Sequence, residues 1–251
     1  MKRILLPVAL LAFLVLPGCK KTDIIDDLFG ANALHNRSVG ASANELLSDS
    51  KYTSLKVQIQ YMTGYAPDPA AVSHLQNFLS AYLNKPAGIS VVTSEISPAA
   101  AATLTVNDIV NIENQNRSAF TSSGEIALYI LYTNGQYSSA STLGVAYRNT
   151  SAALFGKTIR DNSGGIGQVS RTKLEATVLE HEVSHLLGLV DIGSPMQVPH
   201  KDAAHGNHCT NSSCLMYYTA ETTDILGLLL TGNIPALDVN CINDLKANGG
   251  K

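Results

Sequence analysis

The chain has 251 residues, a net charge of -3, 15% charged and 45% hydrophobic side chains, and no tryptophan. That weak negative charge, with no Lys/Arg cluster beyond Lys20-Lys21, leaves no basic surface for nucleic acid, and aromatics at 6% give no base-stacking platform. The length suits one sizeable domain, or one domain of two lobes.

The N-terminus carries its own signals. Met1-Lys2-Arg3 is basic, residues 4–17 are almost unbroken apolar, and Gly18-Cys19 follows. Charge, apolar run and small-residue cleavage site in that order specify secretion, and the run is shorter than the roughly 20 residues a spanning helix needs. Leu16-Pro17-Gly18-Cys19 resembles the bacterial lipobox, whose cysteine is acylated and becomes the new N-terminus; Pro17 departs from the small residue usual there. The resemblance implies a signal peptide over 1–18, a membrane anchor through lipidated Cys19, and a place in the cell envelope facing periplasm or exterior. Plain secretion is the alternative. Residues 19–50 are rich in Asp, Asn, Ser, Ala and Gly without sustained period, and read as a tether with a short helix near 24–29. The folded domain is expected over 51–251.

Leu55, Val57, Ile59 and Tyr61 alternate with polar residues, a strand with one buried face. Pro67-Asp68-Pro69 opens a helix to about residue 83, with Val72, Leu75, Phe78, Leu79 and Tyr82 on one side, and Lys85-Pro86-Ala87-Gly88 stops it. A strand over 89–96, a helix over 106–116 and an apolar strand over 126–132 follow. Segments 143–147 and 153–159 read as strands around the Asn149-Thr150-Ser151 turn. This order predicts an α+β lobe on one mixed sheet. After the break at 162–167, Thr172 and Glu175 have capping-box spacing ahead of the longest helix, whose stripe is Leu174, Val178, Leu179, Val183, Leu186 and Leu187. Gly188 ends it. Residues 189–251 are loop-rich, with short helices near 222–230 and 236–246.

Inside that helix stands His181-Glu182-Val183-Ser184-His185. Residues four apart share a helix face, so both imidazoles can address one metal ion. Glu182 reaches a water there without ligating the metal, and would act as general base. Zinc would lower the pKa of that water to about 7. Two histidines and a glutamate in an apolar stretch are costly to bury without a partner, which weighs against coincidence.

The run on to Gly188 resembles the metzincin metalloproteases, His-Glu-x-x-His-x-x-Gly-x-x-His with a later turn methionine. The resemblance implies an α+β, metzincin-like fold: an N-terminal lobe of mixed sheet plus helices to about residue 188, an active-site helix, and a small loop-rich C-terminal lobe over 189–251. One position departs: Asp191 stands where the third histidine belongs. His208-Cys209-x4-Cys214-x-Met216 is similar to the archaemetzincin segment whose histidine is the third ligand, with residues 191–207 as an insertion. The expected metal set is His181, His185 and His208, with Asp191, His200 and His205 as alternatives. Met216 is the implied turn methionine. Tyr218 matches the tyrosine with which astacin-like metzincins stabilise the oxyanion, and Tyr217 or plain packing competes for that role.

Archaemetzincins also imply a second, structural zinc held by four cysteines. Of the later Cys-x-x-Cys this chain offers only Cys241, so a Cys209–Cys214 or Cys214–Cys241 disulfide is expected instead. His200, Asp202 and His205 read as a solvated loop, and His35 and His74 as surface or tether residues. The function expected is a zinc endopeptidase with one catalytic Zn2+, acting outside the cell on peptides or proteins, with an edge strand near the cleft to align them by β-addition. The alternative is a metal-binding surface lipoprotein without hydrolytic activity, which would have no use for Glu182 as a base.

Overall fold

In the computed structural model, which describes residues 33–251, the alternating segment forms strand β1 (Ser54–Met62). The expected signal peptide, the Cys19 anchor and the helix near 24–29 lie outside the described residues. Asp68 caps helix α2 (Pro69–Tyr82) by accepting from the Ala70 amide at 2.8 Å, and Pro69 supplies the fixed φ of its first turn. Strand β2 (Gly88–Ile96) and helix α3 (Val106–Asn116) follow, the latter closed by a capping box between Thr105 and Asp108.

The apolar run becomes β4 (Glu125–Thr133), buried almost throughout as a central strand of a parallel sheet should be. Strands β6 (Gly144–Arg148) and β7 (Ser151–Phe155) complete a five-stranded sheet in spatial order β2-β1-β4-β7-β6. All neighbours pair parallel except β6, which runs antiparallel along β7 and forms one edge. Two-residue strands β3 (Thr103–Leu104) and β5 (Gln136–Tyr137) pair separately.

Leu55, Val57, Ile59, Leu128 and Ile130 point into the main core with α2 and the long helix α5 (Arg171–Leu186). Tyr129, Leu131 and Phe155 face a smaller core with Ile109 of α3. The C-terminal lobe holds α6 (Leu226–Thr231) and α7 (Val239–Ala247). Among the described residues no helix is long and apolar enough to cross a membrane.

Four expectations about the fold need correction. Residues 153–159 are not one strand: β7 ends at Phe155, and helix α4 (Gly156–Asp161) begins at a glycine whose added Cβ would meet the Thr133 carbonyl oxygen at 2.7 Å. Thr172 and Glu175 form no capping box. Ser170 is the N-cap, and both side chains instead dock α2: Thr172 Oγ1 donates to Asp68 Oδ2 at 2.8 Å, while Glu175 accepts from the Asp68 amide at 2.7 Å.

The tether does not extend to residue 50. Ala33–His35 forms a 3-10 turn, and helix α1 (Ala43–Leu47) buries Leu46 and Leu47 completely. Burial of each leucine is worth about 1.5–3 kcal/mol, enough to make this stretch part of the domain.

His35 is likewise interior, while His74 is exposed as expected. His35 Nε2 accepts the Thr121 amide at 2.9 Å, and Nδ1 lies 2.8 Å from both Thr150 Oγ1 and the donating Arg117 Nη2. Burial, with Arg117 adding to it, pushes its pKa down to about 3. Unfolded, it returns to about 6.5 and binds a proton the folded chain refuses, so its contribution is intact above 6.5 and is lost as pH falls toward 3. The expected loss is about 3 kcal/mol by pH 4. Denaturant unfolding of wild type and His35→Gln between pH 7 and 4 checks this: the variant should lose that much less.

Candidate metal centre

Helix α5 packs against β6 and β7, and this places its His-Glu-x-x-His turn beside the sheet edge. His181 and His185 present Nε2 atoms 3.2 Å apart. His208 arrives from the C-terminal lobe, its ring stacked on His181 at 5.3 Å between centroids and 5.2 Å from His185. Its loop is held by cross-links. The Cys209 amide donates to the Met216 carbonyl at 2.8 Å, the Asp202 amide to the His208 carbonyl at 2.7 Å, and the Thr210 amide to the His200 carbonyl at 2.9 Å.

The three rings share one orientation device. Nδ1 of His181, His185 and His208 meets the carbonyl of Leu215 at 2.8 Å, Leu189 at 2.9 Å and His205 at 2.5 Å, respectively. A carbonyl only accepts, so each Nδ1 carries the proton and each Nε2 turns a lone pair inward. Burial, reinforced by the neighbouring imidazoles, holds His181 down at about 3 and His185 at about 4, in the neutral form a metal requires. Burial opposes the charged form of His208 as well, but the Glu221 carboxylate outweighs it and raises that pKa.

Three lone pairs converging on one point, with His208 Nε2 buried and unpartnered, is repulsive without a cation. Zinc–nitrogen bonds of about 2.0–2.1 Å in tetrahedral geometry separate donors by about 3.3 Å, close to the His181–His185 spacing. The residues fit a zinc ion.

Glu182 is fully buried beside them, and neither carboxyl oxygen has a hydrogen-bond partner. Burial pushes its pKa well above the usual carboxylate range, and the charge of Glu221 adds to that. Its space exists because residue 144, the first of β6, is glycine: a Cβ there would stand 2.7 Å from Glu182 Oε1 and 2.7 Å from Val178 Cγ1.

The other candidates lie elsewhere. Asp191, at φ 66°, is outside the cluster, and its half-exposed carboxylate stands 3.8 Å from Lys201 Nζ. His205 stacks on Tyr218 at 3.7 Å between centroids and contacts Asp202 at 2.7 Å. Tyr217 packs against Tyr218, at 4.7 Å between centroids. Met216 is completely buried, and the Leu215 carbonyl just before it orients His181. Sequence reasoning missed Glu221, at the end of the 3-10 turn Tyr218–Glu221, whose carboxylate joins the three imidazoles in one group of potential donors.

His200 belongs to a second cluster, with Cys209, Asp238 and Cys241. Its Nε2 meets Asp244 Oδ2 at 2.7 Å and its Nδ1 lies 3.4 Å from Cys209 Sγ. The three cysteines are buried free thiols, Cys214 Sγ standing 3.7 Å from Cys241 Sγ. Backbone amides donate to sulfur: Asn211 to Cys209 at 3.5 Å, Met216 and Asp238 to Cys214 at 3.4 and 3.3 Å. The Cys241 thiol and the last two amides lower the pKa of Cys214, whereas burial pushes the Cys209 thiol up to about 12. Asp238 and His200 share the cluster with Cys209 and Cys241, and neither expected disulfide is present among the described residues.

Sheet, long helix and loop-rich second lobe together make an α+β, archaemetzincin-like metallopeptidase fold. In particular, the chain is similar to the crystal structure of archaemetzincin from Methanopyrus kandleri, with a TM-score of 0.50 and 13% identity over 78% of this chain and 96% of that one. It also aligns with metalloproteinase-II from Bacteroides fragilis at a TM-score of 0.40 and 14% identity, covering 89% of this chain and 60% of that one. No family profile and no curated protein matches the sequence.

Proposed function

We propose that this protein is a zinc-dependent endopeptidase that acts outside the cell, tethered through lipidated Cys19, on peptides or proteins. The observation that carries the proposal is the convergence of three Nδ1-anchored imidazoles beside a buried carboxyl group with no partner of its own. His181, His185 and His208 would hold the zinc, which when bound supplies Lewis acidity toward a water and the scissile carbonyl. Glu182 takes the proton of the attacking water and delivers it to the leaving amine nitrogen. Edge strand β6 beside α5 offers backbone groups for an extended substrate to pair with. Tyr218 has the sequence position that the resemblance implies for an oxyanion donor, and its ring stacks on His205. A binding protein without hydrolysis would have no reason to keep an ionisable group buried at Glu182.

The group His200, Cys209, Asp238 and Cys241, with Cys214 Sγ 3.7 Å from Cys241 Sγ, fits the structural zinc that the family resemblance implies. Its role would be to tie the His208 loop to α7. Metal analysis of the soluble form should therefore find two zinc ions per chain. Chelation should abolish cleavage of a mixed peptide library, and zinc should restore it. After chelation in denaturant three thiols should react with a thiol reagent; one reactive thiol would mean a disulfide and overturn the second site. A wild type that cleaves nothing with zinc bound would overturn the peptidase reading.

A further inference from the structure

We propose that Glu221 is a fourth protein ligand of the three-histidine centre, closing it until a substrate displaces the carboxylate. The inference rests on the reading of that centre as a zinc site. Glu221 Oε2 lies 3.9 Å from His181 Nε2 and 3.7 Å from His208 Nε2. All four donor atoms fall within 4.8 Å of one another, and the two Glu221 distances exceed the roughly 3.3 Å edge of a tetrahedral zinc shell by about half an ångström. Among the described residues its ion-pair contacts are with these imidazoles alone.

The backbone aims it there. The Leu143 amide donates to the Glu221 carbonyl at 2.8 Å, the Thr223 amide to the Ser141 carbonyl at 2.9 Å, and Thr142 bridges Thr222. These links fasten the turn to the residues leading into β6, the strand whose Gly144 makes room for Glu182. The two carboxylates thus reach the centre from opposite constraints. Glu182 rises from the helix and stands outside the four-donor set; Glu221 enters from the second lobe and belongs to it.

Charge and coordination give the consequence. A carboxylate beside three converging imidazole nitrogens favours a cation among them, and one carboxylate against a divalent ion leaves a net positive centre that still polarises a carbonyl. Four protein donors are the mark of closed zinc sites, whereas catalytic sites keep a position open. Glu221 sits on a short 3-10 turn with its side chain 31% exposed, so it can swing aside without disturbing the core. A peptide carbonyl that displaces it opens the site only when substrate is present.

The test compares wild type with Glu221→Gln and Glu221→Ala, using the metals alone and then acetohydroxamate as a small metal-chelating probe. The variants should bind zinc about tenfold or more weakly in competition with a chelator. Their cobalt-substituted forms should show a changed, weaker visible spectrum as water replaces the carboxylate. Acetohydroxamate should bind the variants about tenfold more tightly, relieved of competition. Unchanged zinc affinity and cobalt spectra in both variants would overturn the Glu221 assignment and leave the three-histidine centre standing. If wild type bound no metal dependent on His181 and His185, both would fall.

Discussion

Glu182→Gln should retain zinc yet slow peptide hydrolysis by roughly 10²–10⁴-fold, the range lost when a positioned general base is removed. The same substitution should make the metal-free protein more stable. Glu182 is completely buried with both oxygens unpartnered, and burial together with the Glu221 charge raises its pKa well above the ordinary value near 4.5. Unfolded, the group ionises near 4.5; folded, it resists. Its cost is therefore absent below the unfolded pKa and grows as pH rises above it, and a neutral amide of the same shape removes it. At pH 7 the variant should gain about 1–3 kcal/mol, with the gain shrinking toward pH 4.5. Opposite signs in activity and stability distinguish a catalytic carboxyl from a structural one, whose loss would lower both. Steady-state hydrolysis and denaturant melts of the two proteins read the two quantities.

His208→Ala should lose zinc from the histidine centre on dialysis, and with it all hydrolysis. The metal-linked part of stability goes too, about 2.7 kcal/mol at a free zinc concentration 100 times Kd. Asp191→Ala and His205→Ala should keep the ion, since Asp191 faces Lys201 and His205 packs on Tyr218. Calorimetric melts with and without chelator, beside metal content, separate the three variants. If Asp191→Ala rather than His208→Ala released the zinc, the loop over 191–207 would have to be placed differently.

Much of this was legible because it is local. The alternation at Leu55, Val57 and Ile59, the Pro69 start of α2 and the apolar run of β4 each carry their structure in adjacent residues. The His181–His185 spacing is legible for the same reason: one helical turn makes neighbours of residues four apart. His208 came through its place ahead of Cys209, Cys214 and Met216.

The failures are cases where a distant partner decides. Thr172 and Glu175 have the spacing of a cap, yet both are taken by Asp68 from another helix. Glu221 has no spacing signature, because backbone links from its turn to residues 141–143, far back in the chain, bring it to the centre. Asp238 joins Cys209, Cys241 and His200 in one cluster, where pattern reading sought only cysteines. The 33–48 stretch looked polar overall, and the adjacent Leu46 and Leu47 were the signal that it folds into the core. His35 offered none, for its burial depends on Thr121, Thr150 and Arg117, far along the chain.

The account depends on three histidines, two from α5 and one from the second lobe, sharing a single ion. A crystal structure of the zinc-loaded protein, with anomalous data at the zinc edge, tests this most directly. The predicted result is a zinc peak bonded to Nε2 of His181, His185 and His208 at about 2.0–2.1 Å, with Glu182 beside it and unbonded to it. A peak ligated by Asp191 or His205 in place of His208, or no zinc between His181 and His185, would contradict it.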